Sequence, residues 1–150
     1  MVWHEWEAHV GGINTGRWLV GGVVAGILIW IVEGAASLLY ESDMQTILQA
    51  HGLSMDMRSA QAFLLTTAIS LLIGLTLVFF YAAARPRLGP GPKTAVTVAV
   101  VLWCGCYLAS LLGYQMLGLF PLRMLVLWGT VGLGEMIFAA LVGGWIYREG

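Results

Sequence analysis

The sequence predicts an all-α polytopic membrane protein, with four transmembrane helices in an up-down bundle and a short periplasmic amphipathic helix between helices 1 and 2. Three observations predict it. Of 150 residues, 59% are hydrophobic and only 10% charged, whereas soluble domains carry about 25% charged residues. Four apolar stretches, at about 17–40, 59–84, 94–117 and 122–147, each exceed the roughly 20 residues that cross about 30 Å of hydrocarbon. The connections between them are short, so residues 1–150 read as one transmembrane domain.

The first stretch follows an acidic segment, with Glu5 and Glu7 but no Lys or Arg before Arg17. Small residues Gly34 to Ser37 follow its apolar core, yet a signal peptide begins with a basic region, so a retained span is expected. Ahead of it, Trp3 and Trp6 are spaced to form one apolar face, suited to the membrane interface or a neighbouring subunit. His4 and His9 flank that face outside the hydrocarbon.

The first loop holds Ser42-Asp-Met-Gln45, a capping-box pattern, then Met44, Ile47 and Leu48 at helical spacing, with Gly52 as the stop. This is the helix expected on the periplasmic surface. His51 at its end reads as a solvated residue rather than a ligand. The second loop, Arg85-Pro-Arg-Leu-Gly-Pro-Gly-Pro-Lys93, has three prolines and two glycines; this composition opposes a helix and favours a tight turn.

Basic residues orient the chain. Arg17, Arg85, Arg87, Lys93 and Arg148 fall on one side of the membrane, Arg58 and Arg123 on the other. The richer side is cytoplasmic by the positive-inside rule, which puts both termini inside, in a bacterial inner membrane. Arg85, Arg87 and Lys93 serve first to set topology, and secondarily as contacts for lipid phosphates or an acidic partner. Net charge is −1 and no basic cluster exists, so no nucleic-acid partner is expected.

Glu33 and Glu135 stand out because each sits in a long apolar run without Lys, Arg or His. An ionised carboxylate there costs roughly 3 kcal/mol on insertion scales, so a partner must satisfy it. At about 100° per residue, Gly22, Gly26, Glu33 and Ser37 share an arc of roughly 80°, and Trp128, Gly132, Glu135, Ala139 and Gly143 share another. Thr67, Ser70 and Gly74 form a comparable stripe on the second span, and Cys106, Ser110 and Gly113 on the third. Small residues at four-residue spacing let backbones approach, so Gly22, Gly26, Gly74, Gly113, Gly132 and Gly143 are expected at helix–helix contacts.

Counting from Arg17 and Arg148 puts Glu33 about 24 Å and Glu135 about 20 Å from the cytoplasmic end. First and last helices of an up-down bundle are commonly neighbours. Facing carboxyls at similar depth would not both ionise, leaving a shared proton or a protonated hydrogen-bond donor. Two readings follow: a proton- or cation-coupled site, or a pair of acids that pins helix register.

Several chemistries find no support. No span contains His, which disfavours bis-His haem or magnesium-pigment ligation within the bilayer. Cys104 and Cys106 lack a second pair or a His to complete a metal site, so they read as packing residues. There is no Ser-His-Asp set and no Gly-rich phosphate motif between a strand and a helix. No cofactor, no metal and no enzymatic activity are therefore expected.

The strings Arg85-Pro-Arg-Leu-Gly-Pro-Gly-Pro-Lys-Thr-Ala95, Gly118-Leu-Phe-Pro-Leu-Arg123 and Trp145-Ile-Tyr-Arg-Glu149 resemble a family of small bacterial four-helix membrane proteins that carries no assigned activity. The resemblance implies architecture and supplies no functional residues. A second likeness, to small multidrug transporters, rests on four helices and a Glu on the first, where Glu33 would match. The long first loop, the second intramembrane Glu and the absence of that family's third-helix pattern in Val98–Gly113 set this chain apart.

The function expected first is a non-catalytic integral-membrane subunit or scaffold in a larger bacterial complex, photosynthetic or respiratory, in contact with lipid and other membrane subunits. The contrasting expectation is a small proton-coupled transporter, as a homodimer, using Glu33 and Glu135.

Overall fold

The computed structural model describes residues 12–54, 56 and 59–147. Every element among them is helical: α1 Thr15–Ser37, α2 Glu41–Ala50, α3 Ala60–Leu88, α4 Pro92–Leu102, α5 Ala109–Leu117 and α6 Leu122–Ile146. A π-helical segment, Trp103–Leu108, joins α4 to α5 without a break. Four helices are long and apolar enough to cross a membrane: α1, α3, the composite Pro92–Leu117 and α6. That is the signature of a multi-pass membrane protein. Trp3, Trp6, Arg58 and Arg148 lie outside the described residues.

Local chemistry sets most boundaries. Asn14 caps α1 by accepting from the Arg17 amide at 3.0 Å, and Ser59 caps α3 by accepting from Ala62 at 3.1 Å. Pro92 opens α4, where its missing N–H costs nothing. Gly52 and Gly118 close α2 and α5 at φ +70 and +65, a backbone that side chains with a Cβ disfavour.

Three expectations are corrected. The 85–93 segment is not wholly a turn, because α3 runs through Pro86 to Leu88 and only Gly89-Pro90-Gly91 turns. Pro86 lacks one amide, but the Gly89 amide still donates to the Arg85 carbonyl at 2.9 Å, and positive φ at Gly89 and Gly91 makes the reversal. Next, α1 stops at Ser37 rather than Tyr40; Ser37 Oγ donates back to the Gly34 carbonyl, and Tyr40 starts α2. Finally, the capping box is not used. Ser42 lies inside α2, where its carbonyl accepts from Thr46, and Gln45 reaches Glu41.

The bundle is organised around α6, which touches α1, α3 and the composite span. Its buried Gly129, Gly132, Ala139, Ala140, Gly143 and Gly144 leave room for neighbours. On α1, a Cβ at Gly21 would stand 2.8 Å from the Gly143 carbonyl oxygen, and one at Gly143 would stand 2.5 Å from Val78 Cγ2. Between α1 and α3 the approach is closer still: a Cβ at Gly74 would meet the Gly22 oxygen at 2.5 Å and Gly26 Cα at 2.6 Å. Gly22 and Gly26 press in turn on the backbone at Leu75 and Leu71. These are the backbone contacts that small-residue stripes permit where lipid removes the usual hydrophobic driving force.

Gly113 behaves differently. A Cβ there would meet nothing within 4 Å, and Cys106 and Ser110 are exposed. The expected packing stripe on the third span is thus not a contact face. Inside the π-helical segment each turn takes an extra residue, and one extra residue swings the downstream faces by about 100°. The side chains that reach α6 are instead Trp103, Tyr107 and Leu111, over Gly129 and Gly132.

Each end of the bundle is tied. At the end holding Gly89–Gly91, the Gly91 amide donates to Tyr81 Oη, the Asn14 amide donates to Tyr147 Oη, and the Arg85 guanidinium lies over the Tyr147 ring. At the other end α2 folds back on the start of α6. Met44 and Ile47 rest on the Ala36–Tyr40–Met124 cluster, and Arg123 pairs with Asp43 at 2.7 Å.

Candidate functional site

The antiparallel register of α1 and α6 sets Gly21 beside Gly143 and Ala36 beside Met124. Glu33 therefore lies about one and a half helical turns, roughly 8 Å, nearer the α2 end than Glu135. The two carboxyls are within electrostatic reach of one another. Glu135 is only 6% exposed, and Glu33 is partly buried. Among the described residues no Lys, Arg or His makes an ion pair with either acid; the one ion pair found there is the Arg123–Asp43 link.

Two tyrosines complete the cluster. Tyr40 Oη donates a short hydrogen bond to Glu33 Oε1. Tyr40 begins the turn beyond α1, seven residues after Glu33, which returns it to the same side of the chain. Burial first, and then the Glu33 carboxylate, pushes the Tyr40 hydroxyl well above the usual phenol range, so it remains a donor. Tyr107, carried by the π-helical segment, lays its ring over Gly132, one turn from Glu135, and is within reach of both carboxyls. A Cβ at Gly132 would sit 2.7 Å from Tyr107 Cζ, so the glycine makes space for that ring.

The satisfaction of the two acids is unequal. Glu33 has a donor in Tyr40, whereas Glu135 Oε2 is buried and has no hydrogen-bond partner. A buried acceptor without a donor costs about 1–3 kcal/mol, more when charged, so this oxygen is poised to take a proton or an external donor. Toward α2 the pair is roofed by aromatic rings in edge contact: Tyr40 with Trp128 at 5.5 Å, Trp128 with Phe120 at 5.0 Å, and Phe120 with Tyr114 at 5.7 Å.

A cleft of about 500 Å³ adjoins the cluster, between α3 and the composite span. Leu72, Ile73, Leu102 and Met136 line it with Tyr107 and Trp128. It lies beyond the α3–α4 contact, where α3 packs less closely on α5. Leu72, Cys106, Ser110 and Tyr114 at its rim are exposed, so it opens on the outer surface of the bundle. Tyr107 is the side chain shared by the cleft wall and the carboxyl cluster.

The remaining expected residues fall elsewhere. Gly22, Gly26 and Gly74 sit in the α1–α3 contact, Gly143 between α1, α3 and α6, and Gly132 under Tyr107. Arg85 turns inward to Tyr147, while Arg87 and Lys93 are exposed. His51 is held by the Ile47 carbonyl at 2.8 Å. No group of three or more His, Cys, Asp or Glu that could hold a metal occurs among the described residues. Sequence reasoning missed Tyr40 and Tyr107 as members of the site. The seven-residue offset from Glu33 could have pointed to Tyr40, whereas no local pattern marks Tyr107.

Comparison with protein-family models, curated proteins and solved structures found no match for this chain.

Proposed function

We infer that this chain is a small proton-coupled transporter in which Glu33 and Glu135 hold the coupling proton or cation. The observation that carries the reading is that two carboxyls, from α1 and α6, lie within electrostatic reach of each other inside the bundle, one of them with a buried oxygen that has no donor. Intramembrane acids without basic partners mark proton and ion pathways. The chemistry available is proton exchange. One carboxyl holds the proton while the Tyr40 hydroxyl supports the other as an acceptor, and a cationic solute displaces the proton.

In this reading the four spans cross a bacterial inner membrane as an up-down bundle. The Arg85 end faces the cytoplasm, as the excess of basic residues there favours, and α2 lies on the periplasmic surface. The test is reconstitution into liposomes holding a pH-sensitive dye, with solutes screened for release of an imposed proton gradient. Glu33→Gln or Glu135→Gln should abolish solute-dependent proton movement while the protein stays monodisperse. Undiminished movement in both variants would refute the reading.

A second reading, a non-catalytic subunit of a larger membrane complex, is favoured by one observation. Gly105 and Gly113 on the composite span meet no neighbour within 4 Å, and Cys104, Cys106 and Ser110 are exposed beside them. A helix of another subunit would fit such a face closely. Mild-detergent purification from native membranes decides this one: a stoichiometric membrane partner supports it, and recovery of this chain alone counts against it.

A further inference from the structure

Tyr107 lines the cleft and lays its ring over Gly132, one turn from Glu135, so the cleft and the carboxyl cluster share this side chain, and their chemistries are complementary. The cleft is mostly hydrocarbon, with aromatic rings at one wall, and its volume of about 500 Å³ is in the range of small-molecule sites. Such sites pair an apolar enclosure with a few polar groups that fix orientation. Here the polar groups stand behind Tyr107: two carboxyls within electrostatic reach of each other, and Glu135 Oε2 buried without a donor.

Three features narrow the occupant. The rim residues Leu72 and Tyr114 are exposed on the outer surface of the bundle, where a membrane would present hydrocarbon, so entry is from the bilayer. Two neighbouring carboxyls favour a cation over a neutral molecule. An acceptor oxygen with no donor needs an N–H, which a quaternary ammonium does not have.

We propose that this cleft binds a membrane-dissolved, protonatable amine, its apolar body among Leu72, Ile73, Leu102 and Met136 and its protonated nitrogen donating to Glu135 past the Tyr107 ring. The proposal rests on the reading of Glu33 and Glu135 as a cation site and names the solute class for it. Tyr107 is then a gating residue, and its place in the π-helical segment fits the frequent use of such segments at functional sites. No covalent step is involved; the amine takes up the position that a proton on Glu135 otherwise fills.

The test is equilibrium binding of decylamine to the full chain in lipid nanodiscs, followed by tryptophan fluorescence, with empty nanodiscs to subtract simple partitioning. Saturable binding is expected, and decyltrimethylammonium and decanol should each bind at least about tenfold more weakly. Glu135→Gln should weaken decylamine binding by about tenfold or more. Leu72→Trp, which fills the cleft from an exposed position, should do the same, whereas Leu65→Trp, also exposed on α3 but outside the cleft, should not.

Equal binding of the quaternary ion, or insensitivity to Leu72→Trp, overturns the proposal. So does a phospholipid that native mass spectrometry finds retained in the wild type, lost in Leu72→Trp and not displaced by decylamine. Because binding is read without flux, proton movement without amine binding rejects the solute class alone. Amine binding without solute-dependent proton movement rejects the transport reading alone.

Discussion

Replacing Gly74 by Ala tests the architecture at its tightest point. The added carbon would lie 2.5 Å from the Gly22 oxygen and 2.6 Å from Gly26 Cα. Ordinary contacts between such atoms begin near 3.4 Å, so α1 and α3 must separate by roughly 1 Å. The obstacle is backbone on the facing helix, so no rotamer change relieves it. Overpacking of this kind costs about 1–3 kcal/mol, and an unyielding backbone places Gly74→Ala toward the upper end.

The assay is reversible unfolding in mixed micelles, titrated with a denaturing detergent and followed by helical circular dichroism. Gly113→Ala and Gly105→Ala are the matched controls, since a Cβ at either position meets nothing within 4 Å. They should be neutral to slightly stabilising, because Ala is the better helix former by roughly 0.5–1 kcal/mol. A Gly74→Ala protein as stable as wild type, or controls that lose as much as it does, would refute the packing argument. The same separation shifts the helix that carries Glu33, so solute-dependent proton movement should change along with stability.

Other outcomes follow from individual contacts. Tyr40→Phe leaves Glu33 without its donor and should cost about 1–3 kcal/mol, the range for a partly buried acceptor that loses its partner, in the same unfolding assay. Gly132→Val should displace the Tyr107 ring, which stands 2.7 Å from the new carbon, and so weaken decylamine binding, with an overpacking cost of about 1–3 kcal/mol in the unfolding assay. The Arg123–Asp43 pair is 77% and 49% exposed, so a double-mutant cycle on it should give no more than about 1 kcal/mol, lost in high salt.

The sequence by itself determined the elements that depend on composition and local chemistry. Four long apolar stretches become four helices able to span a membrane because backbone groups in hydrocarbon must satisfy each other within the helix. Glu33 and Glu135 stood out on the same ground, since a carboxyl in an apolar run is anomalous whatever surrounds it. The first loop also reads correctly as a short helix stopped at Gly52, although its capping box goes unused. The 3.6-residue period further picked out Gly22, Gly26, Gly74 and Gly143, where the lack of a Cβ leaves room for close helix contacts.

Only tertiary structure decided which of these groups meet. The register of α1 on α6 brings Glu33 to within two turns of Glu135, and it depends on the backbone approach of Gly21 to Gly143, a fit between two surfaces. The π-helical segment at Trp103–Leu108 breaks the regular period, so the Cys106–Ser110–Gly113 stripe that a uniform helix would bury stays unpacked and Tyr107 comes to rest between cleft and carboxyls. Local sequence fixes what each helix can bury. Helix register and a single change of pitch fix which polar groups share the buried space, and those are properties of whole surfaces fitting together.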